Sequence, residues 1–261
     1  MPHFVIVGGG IIGTALAREL ALRKAGQITV LEKEPVLGCH ASGRNSSVIH
    51  SGINQKPGSL KAEMCVEGSR LLRDYCREHK VPMNECGTLV VARNSEELVR
   101  LEELLELGKV CGVGGLHIIT KDELRKKEPA AKGVAALFSP AGAVVDALKL
   151  LETLAEEARS LGVEFIYRSR ATGMNEGCVV TSAGETKADI IINCAGLEAD
   201  RLAHSMQIGL DYRIVPFRGE YMEVKNCDVR SMIYQPPDLK FPFLKIHLTC
   251  ETDGRDRKSV V

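Results

Sequence analysis

Tryptophan is absent, and aromatic residues make up only 4% of the 261-residue chain. That scarcity excludes no function. Long hydrophobic runs are missing too: no apolar stretch approaches the roughly 20 residues of a membrane-spanning helix. The first apolar run, residues 4–7, is too short for a secretory signal, and no mitochondrial presequence is visible. Neither sign of charge is in excess, with 34 Lys+Arg against 34 Asp+Glu. No net field therefore draws nucleic acid or an anionic membrane. The 9 cysteines (39, 65, 76, 86, 111, 178, 194, 227 and 250) form no C-x-x-C pair and no metal-like spacing with histidine. Such spread-out thiols are expected to be reduced and mostly buried, without a structural zinc site, in a cytoplasmic-type compartment. Internal repeats and low-complexity tracts are also lacking.

What is present is concentrated at the amino-terminal end. Phe4-Val-Ile-Val7 leads into Gly8-Gly9-Gly10-Ile11-Ile12-Gly13, a G-x-G-x-x-G pattern. A helical pattern follows over 14–24, then the apolar run 28–31, which ends in Glu32. This is the strand, turn, helix, strand and acid order of a dinucleotide-binding βαβ unit. Gly8 permits the tight turn, Gly10 lets a pyrophosphate approach the backbone, and Gly13 lets helix and strand pack closely. The N–H groups at the helix start favour phosphate charge. Glu32 is placed to accept hydrogen bonds from ribose hydroxyls, and it disfavours a 2′-phosphate.

Further along, residues 35–52 read as an extended functional loop rich in Gly, Ser, Asn and His. Helices are expected over 59–78, from the cap Ser95 to about 110, over 121–127 and over 145–161. Strands are expected over 87–92, 134–138, 164–167, 178–181, 186–192, 213–224 and 232–234. The run 189–193 reads as a buried parallel strand, and Cys194-Ala195-Gly196 at its carboxyl end lets a ligand sit close. The pattern implies an α/β fold of two interleaved domains. A nucleotide domain takes 1–84 and 134–205; a second, strand-richer domain takes 85–133 and 206–254.

Several blocks together resemble the FAD-dependent oxidoreductases of the D-amino-acid-oxidase superfamily, and within it the L-2-hydroxyglutarate dehydrogenase/oxidase family. They are Val7-Gly-Gly-Gly-Ile-Ile-Gly13, Val30-Leu-Glu-Lys-Glu34, Ser42-Gly-Arg-Asn-Ser-Ser-Val-Ile-His-Ser-Gly52 and Lys56-Pro-Gly-Ser-Leu-Lys-Ala62. Further on come Cys65-Val-Glu-Gly68, Cys86-Gly-Thr-Leu89, Asn193-Cys-Ala-Gly-Leu197, Ile214-Val-Pro-Phe-Arg-Gly-Glu-Tyr221, Phe241-Pro-Phe-Leu244 and His247-Leu-Thr249. The glycine motif is shared by many flavoproteins; the blocks 45–52 and 216–221 are more specific. The resemblance implies a Rossmann-like, glutathione-reductase-type FAD-binding domain with an interleaved α+β substrate domain, incomplete at the C-terminus. It implies non-covalent FAD and oxidation of an L-2-hydroxy acid to the 2-oxo acid.

Carried over to this chain, the resemblance has Gly8, Gly10, Gly13 and Glu32 hold the ADP part of FAD. Arg44, Asn45, Ser46 and Ser47 would sit near pyrophosphate and flavin. Ala171 would approach the adenine, and Ala195 and Gly196 would flank the cofactor. The implied substrate carries carboxylates, which suits the planar fork of Arg218; an ion pair with Glu220 is the competing role. His50 is the leading general-base candidate, with His247 second, and a purely structural hydrogen bond is the alternative for His50. The partners implied are a small 2-hydroxy acid and an electron acceptor, whether quinone, another carrier or oxygen. Nucleic acid and a transmembrane segment are not expected. Localisation is expected to be cytoplasmic, or mitochondrial in a eukaryote, with peripheral membrane contact left open.

Alternatives stay open: amine or glycerol-3-phosphate oxidation, an inactive nucleotide-binding fragment, or an NAD-dependent dehydrogenase. Relatives commonly carry Gly at position 47, a Tyr pair at 54–55 and Tyr at 147, where this chain has Ser47, Asn54, Gln55 and Ala147. Those departures bear on substrate identity more than on flavin binding. The last residues, Asp256-Arg-Lys-Ser-Val-Val261, match the translation of a common sequencing-library adapter. A non-native tail over 255–261 is therefore expected, a native basic tail being the alternative.

Overall fold

The structure is a computed structural model that describes residues 1–224, 229–237, 247–250, 252 and the strand backbone of 256–260. Cys227 and the block 241–244, both singled out in the sequence, lie outside the described residues. In chain order the elements begin with β1 (His3–Val7), α1 (Ile11–Leu22), β2 (Gln27–Leu31), β3 (Val48–Ile49), α2 (Leu60–Glu78), β4 (Met83–Asn84) and β5 (Thr88–Ala92). They continue with α3 (Ser95–Val110), β6 (His117–Thr120), α4 (Lys121–Lys127), β7 (Ala135–Ser139), β8 (Ala143–Val145), α5 (Ala147–Ser160) and β9 (Glu164–Ile166). Last come β10 (Ala171–Asn175), β11 (Cys178–Thr181), β12 (Gly184–Lys187), β13 (Ile190–Asn193), α6 (Ala199–Ser205), β14 (Glu220–Val224), β15 (Met232–Tyr234), β16 (His247–Cys250) and β17 (Asp256–Val260).

The chain divides into two units, 1–45 with 147–217 and 46–146 with 218–261. The first contains a parallel sheet in the order β13-β1-β2-β9. In chain order this is the arrangement in which the first and fourth strands lie side by side, the switch point where ligands enter doubly wound sheets. Alternation along β1 sends its side chains to both faces. Ile6 joins Ala17, Ile28, Val30, Ala158 and Val163 under α1 and α5. Val5 and Val7 join Leu31, Val179, Ala188 and Leu202 on the other face. Arg18 on α1 pairs bidentately with Glu157 on α5, at 2.6 and 2.7 Å. The antiparallel meander β10-β11-β12 completes this unit.

Three local expectations change here. Helix α1 begins three residues earlier than its apolar pattern, because the glycine turn itself supplies its first residues. The 145–161 helical pattern splits, since 143–145 pairs as β8 and the helix begins at Ala147. The run 189–193 forms a parallel strand, but β13 is the sheet's edge among the described residues. Its side chains are half-buried, with Ile190 42% exposed.

The second unit is built on a seven-stranded sheet in the order β14-β17-β16-β15-β5-β7-β6. Interior strand β5 is covered on both faces, which explains its uninterrupted apolar sequence. Val90 and Ala92 pack with Leu101 and Leu104 of α3, while Leu89 and Val91 pack with Leu124 of α4. Both helices are capped. The cap of α3 is Asn94 rather than Ser95: its side chain accepts from the Glu97 N–H at 2.9 Å. Thr120 and Glu123 form a reciprocal capping box on α4. Glu128, fully buried after α4, accepts from the Arg230 and Ser231 N–H groups at 2.8 and 2.9 Å and anchors the approach to β15.

A small sheet, β3-β8-β4, explains why the unit boundaries differ from those read in the sequence. Val48–Ile49 and Met83–Asn84 both pair with Ala143–Val145. Segments 46–84 and 134–146 therefore belong with the second unit, through pairings that no local pattern announces. Of the extended run 213–224, only Glu220–Val224 is a strand. The segment set apart as a tail contains β17, which pairs with both β14 and β16.

Candidate functional site

The first unit contains a cavity of about 780 Å³ at the carboxyl ends of β1, β2 and β13. Gly8, Gly10, Gly13, Glu32, Asn45, Ala171, Ala195 and Gly196, all singled out in the sequence, line it. Arg44 belongs to the same unit but is exposed and is not among the lining residues. Ser46, Ser47, His50 and Arg218 belong to the second unit.

The glycine turn leaves no room for side chains where backbone meets backbone. Gly8 has φ +112°, and a Cβ there would collide with the Cys194 carbonyl. On Gly13 a Cβ would collide with the Gly8 carbonyl oxygen. Gly10 differs: a Cβ there would meet only the Ser42 hydroxyl, at 3.0 Å. Its empty side faces the cavity at the start of α1, where Gly10 offers no side-chain cap. Ser42 accepts from the Ile11 N–H at 2.9 Å and lines the cavity as well. Its signal in the sequence was only membership of a serine-rich loop, so its specific role went unread.

Glu32 is nearly buried, and its carboxylate braces the turn. Oε2 accepts from the Gly9 N–H and Oε1 from the Glu34 N–H, both at 2.9 Å. Along the cavity lining, Glu198 accepts from Lys33 at 2.8 Å and from Arg170 at 2.7 and 2.9 Å. The Lys33 hydrogen bond is the main cause holding the Glu198 carboxyl below the ordinary glutamate value. All three side chains line the cavity. The sequence showed no sign of this trio, because the partners lie far apart in the chain. Asn193 fixes the end of β13, donating to the Ala199 carbonyl at 2.7 Å and accepting from the Ala195 N–H at 3.2 Å.

This donor set fits the ADP half of FAD. An open glycine face at a helix start suits a diphosphate, a buried carboxylate suits ribose hydroxyls, and small residues at two strand ends allow close approach.

Residues 3–255 match the FAD dependent oxidoreductase family, DAO. The chain belongs to that family. Among curated relatives of this family member, the mitochondrial L-2-hydroxyglutarate dehydrogenase of Homo sapiens is 42% identical over 96% of the chain. The L-2-hydroxyglutarate dehydrogenase of Escherichia coli (strain K12) is 37% identical over 97%. The chain spans 58% and 62% of their respective lengths. Among solved structures, the dithionite-reduced, FAD-bound L-alpha-glycerophosphate oxidase of Mycoplasma pneumoniae superposes with a TM-score of 0.84. It is 28% identical, over 99% of this chain and 71% of that one. A glycine oxidase from Bacillus cereus has the same fold, at TM-score 0.83 and 19% identity.

In the second unit, His50 follows β3 and is exposed to solvent, although neighbouring groups pack around its ring. Desolvation by the protein packed around it, then the like charges of His247 and Lys61, push its pKa below the ordinary 6.5. The imidazole is therefore neutral at physiological pH and can accept a proton. Buried His247 stacks on Tyr234, with ring centroids 4.8 Å apart and planes 7° from parallel. Arg218 is exposed and has no ion-pair or hydrogen-bond partner among the described residues, so the pair with Glu220 does not form. Ser47 adopts φ +58°, a left-handed conformation that glycine tolerates better. This gives a physical reason for the glycine that the family resemblance leads one to expect there. Among the described residues, no helix is long and apolar enough to cross a membrane.

Proposed function

We propose that this chain serves the FAD-dependent oxidation of an L-2-hydroxy acid, L-2-hydroxyglutarate to 2-oxoglutarate. The observation that carries the reading is 37–42% identity to L-2-hydroxyglutarate dehydrogenases along nearly the whole chain. When bound, FAD supplies the hydride acceptor. The chain's own residues do the rest. Gly8, Gly10 and Gly13 shape the turn that receives the diphosphate, with Asn45 beside it, and Glu32 binds the ribose. Ala171, Ala195 and Gly196 leave space for the adenosine and for the inner face of the cofactor. Arg44, Ser46 and Ser47 are proposed to act nearer the flavin end.

His50 takes the proton of the substrate hydroxyl at a ring nitrogen, a role its depressed pKa permits at neutral pH. Arg218 grips a substrate carboxylate through its guanidinium fork. The electrons pass on to a quinone, another carrier or oxygen.

The test is reconstitution with FAD and turnover measured with a dye acceptor on L-2-hydroxyglutarate, its D enantiomer, glycerol 3-phosphate and glycine. Turnover of the L-hydroxy acid alone supports the reading. Turnover of glycerol 3-phosphate instead would favour the second reading, for which the 28%-identical glycerophosphate oxidase is the specific argument. A flavin-loaded protein inert to all four would sink both.

A further inference from the structure

The second unit holds a pair of thiols that the flavin chemistry does not use. Cys86 sits between β4 and β5, half-buried; Cys250, at the end of β16, is 5% exposed. Neither is in a disulfide, and 163 residues lie between them in the chain. The tertiary structure packs Cys86 against the cluster of Val144, Met232 and Cys250. The Cys250 side chain hydrogen-bonds the Cys86 sulfur, and the Met232 and Cys86 backbones assist. The Asn84 amide donates to the Cys250 sulfur at 3.8 Å. The backbone on either side is pinned: Gly87 donates to the Gly142 carbonyl at 3.0 Å and accepts from the Met232 N–H at 3.1 Å.

We propose that Cys86 and Cys250 form a redox dithiol that small-molecule disulfides, of the glutathione class, convert to an intramolecular disulfide. Cys86 is the attacking thiol because it is the more accessible of the two. Its sulfur is also the better stabilised as thiolate: the hydrogen bond from Cys250 leads the causes that lower its pKa. The other described thiols with a clear shift go the opposite way. Burial pushes Cys76 up to about 11 and also raises Cys65, Cys178 and Cys194.

The exchange balances. The Cys86 thiolate attacks one sulfur of the small disulfide, forming a mixed disulfide and expelling one small thiolate, which takes up the Cys86 proton. Cys250 then attacks the Cys86 sulfur, expelling the second small thiolate, which takes the Cys250 proton. Two protein thiols are oxidised, and one disulfide is reduced to two thiols. The new bond links β16 to the strand junction before β5. It neither requires nor implies any particular substrate for the flavin site.

The full chain is treated with oxidised glutathione, quenched by alkylation at intervals and mapped by non-reducing tryptic mass spectrometry. The expected first product joins peptide 81–93 to peptide 246–255, at least tenfold faster than any other pair, and dithiothreitol reverses it. In Cys250→Ser the glutathione adduct is expected to remain on Cys86. In Cys86→Ser, Cys250 is expected to stay unmodified, and in urea the preference is expected to vanish. Cys65 and Cys111, whose charges also interact, provide a built-in competitor. If peptides 62–70 and 110–121 join first, if linkages are scrambled in the native protein, or if Cys86 stays reduced, the proposal fails. Wild-type mapping decides the matter even where a variant does not fold.

Discussion

Replacing Gly13 with Ala isolates the physical demand of the nucleotide turn, and Gly68 offers a matched control. Both glycines lie within helices, α1 and α2. Considered as helix residues alone, each should gain about 0.5–1 kcal/mol on substitution by Ala. Their surroundings differ. A Cβ on Gly68 meets nothing within 4 Å. On Gly13 it would be driven into the Gly8 carbonyl oxygen, with the Gly8 carbonyl carbon at 3.2 Å and the Cys194 Cβ at 3.3 Å. The main obstacle is backbone, so no flexible side chain can swing away. Overpacking of this kind costs about 1–3 kcal/mol, which outweighs the helix gain. Gly13→Ala should therefore lose about 1–2 kcal/mol net, while Gly68→Ala gains up to about 1. At roughly 2–4 °C per kcal/mol for a chain of this size, the two melting temperatures should move in opposite directions. Differential scanning fluorimetry reads this directly. Separating Gly13 from Gly8 also disturbs the diphosphate cradle, so flavin affinity in Gly13→Ala should fall at least tenfold, or about 1.4 kcal/mol, by fluorescence titration. Equal stabilisation by both substitutions, with flavin binding intact, would refute the argument that close backbone approach dictates glycine at position 13.

Glu32→Gln keeps the side chain's shape but presents an NH₂ to one of the two backbone donors now held by the carboxylate. Loss of one charge-assisted bond is worth about 1.5–3 kcal/mol, so flavin should bind some 10- to 100-fold more weakly. Ser47→Gly relieves a left-handed serine and should raise stability by up to about 1 kcal/mol in chemical denaturation; a loss would show that the hydroxyl outweighs the backbone strain. Glu198 has a folded-state pKa lowered chiefly by Lys33, so its contribution is complete above the unfolded glutamate value, about 4.3, and fades as pH falls through the lower native value. Melting curves of the wild type and Glu198→Gln should therefore be separated at pH 6 and converge in acid. A separation that widened in acid would contradict that assignment. For His50, whose pKa is depressed, the acid limb of the rate profile should fall below the ordinary 6.5 and disappear in His50→Gln along with most turnover.

The elements that were legible in the sequence share a local cause. The apolar runs of β1, β2 and β5 and the glycine turn before α1 each express themselves within a few residues, whereas the cap of α3 lies one residue before the expected Ser95, at Asn94. What escaped was set by pairing at long range. β8 escaped because residues 143–144 suggest no element by themselves and Val145 fits the helical pattern of α5. It becomes a strand only because segments 48–49 and 83–84 pair with it. The same pairing moved the unit boundaries to Asn45 and Asp146. At the site, the glycines and Glu32 were readable because their spacing alone encodes a turn and a strand end. The Lys33, Arg170 and Glu198 trio was not, since no local rule links residues so far apart.

By itself, the order of residues 4–32 determined that a dinucleotide would be met by glycine backbone and a carboxylate, because those steric and electrostatic requirements are satisfied by near neighbours in the chain. Tertiary structure alone decided which distant groups close around that site, and that two cysteines 164 positions apart would meet. Contacts of that kind depend on how strands pair and helices cover them, and that is settled by burial over the whole unit rather than by any local pattern.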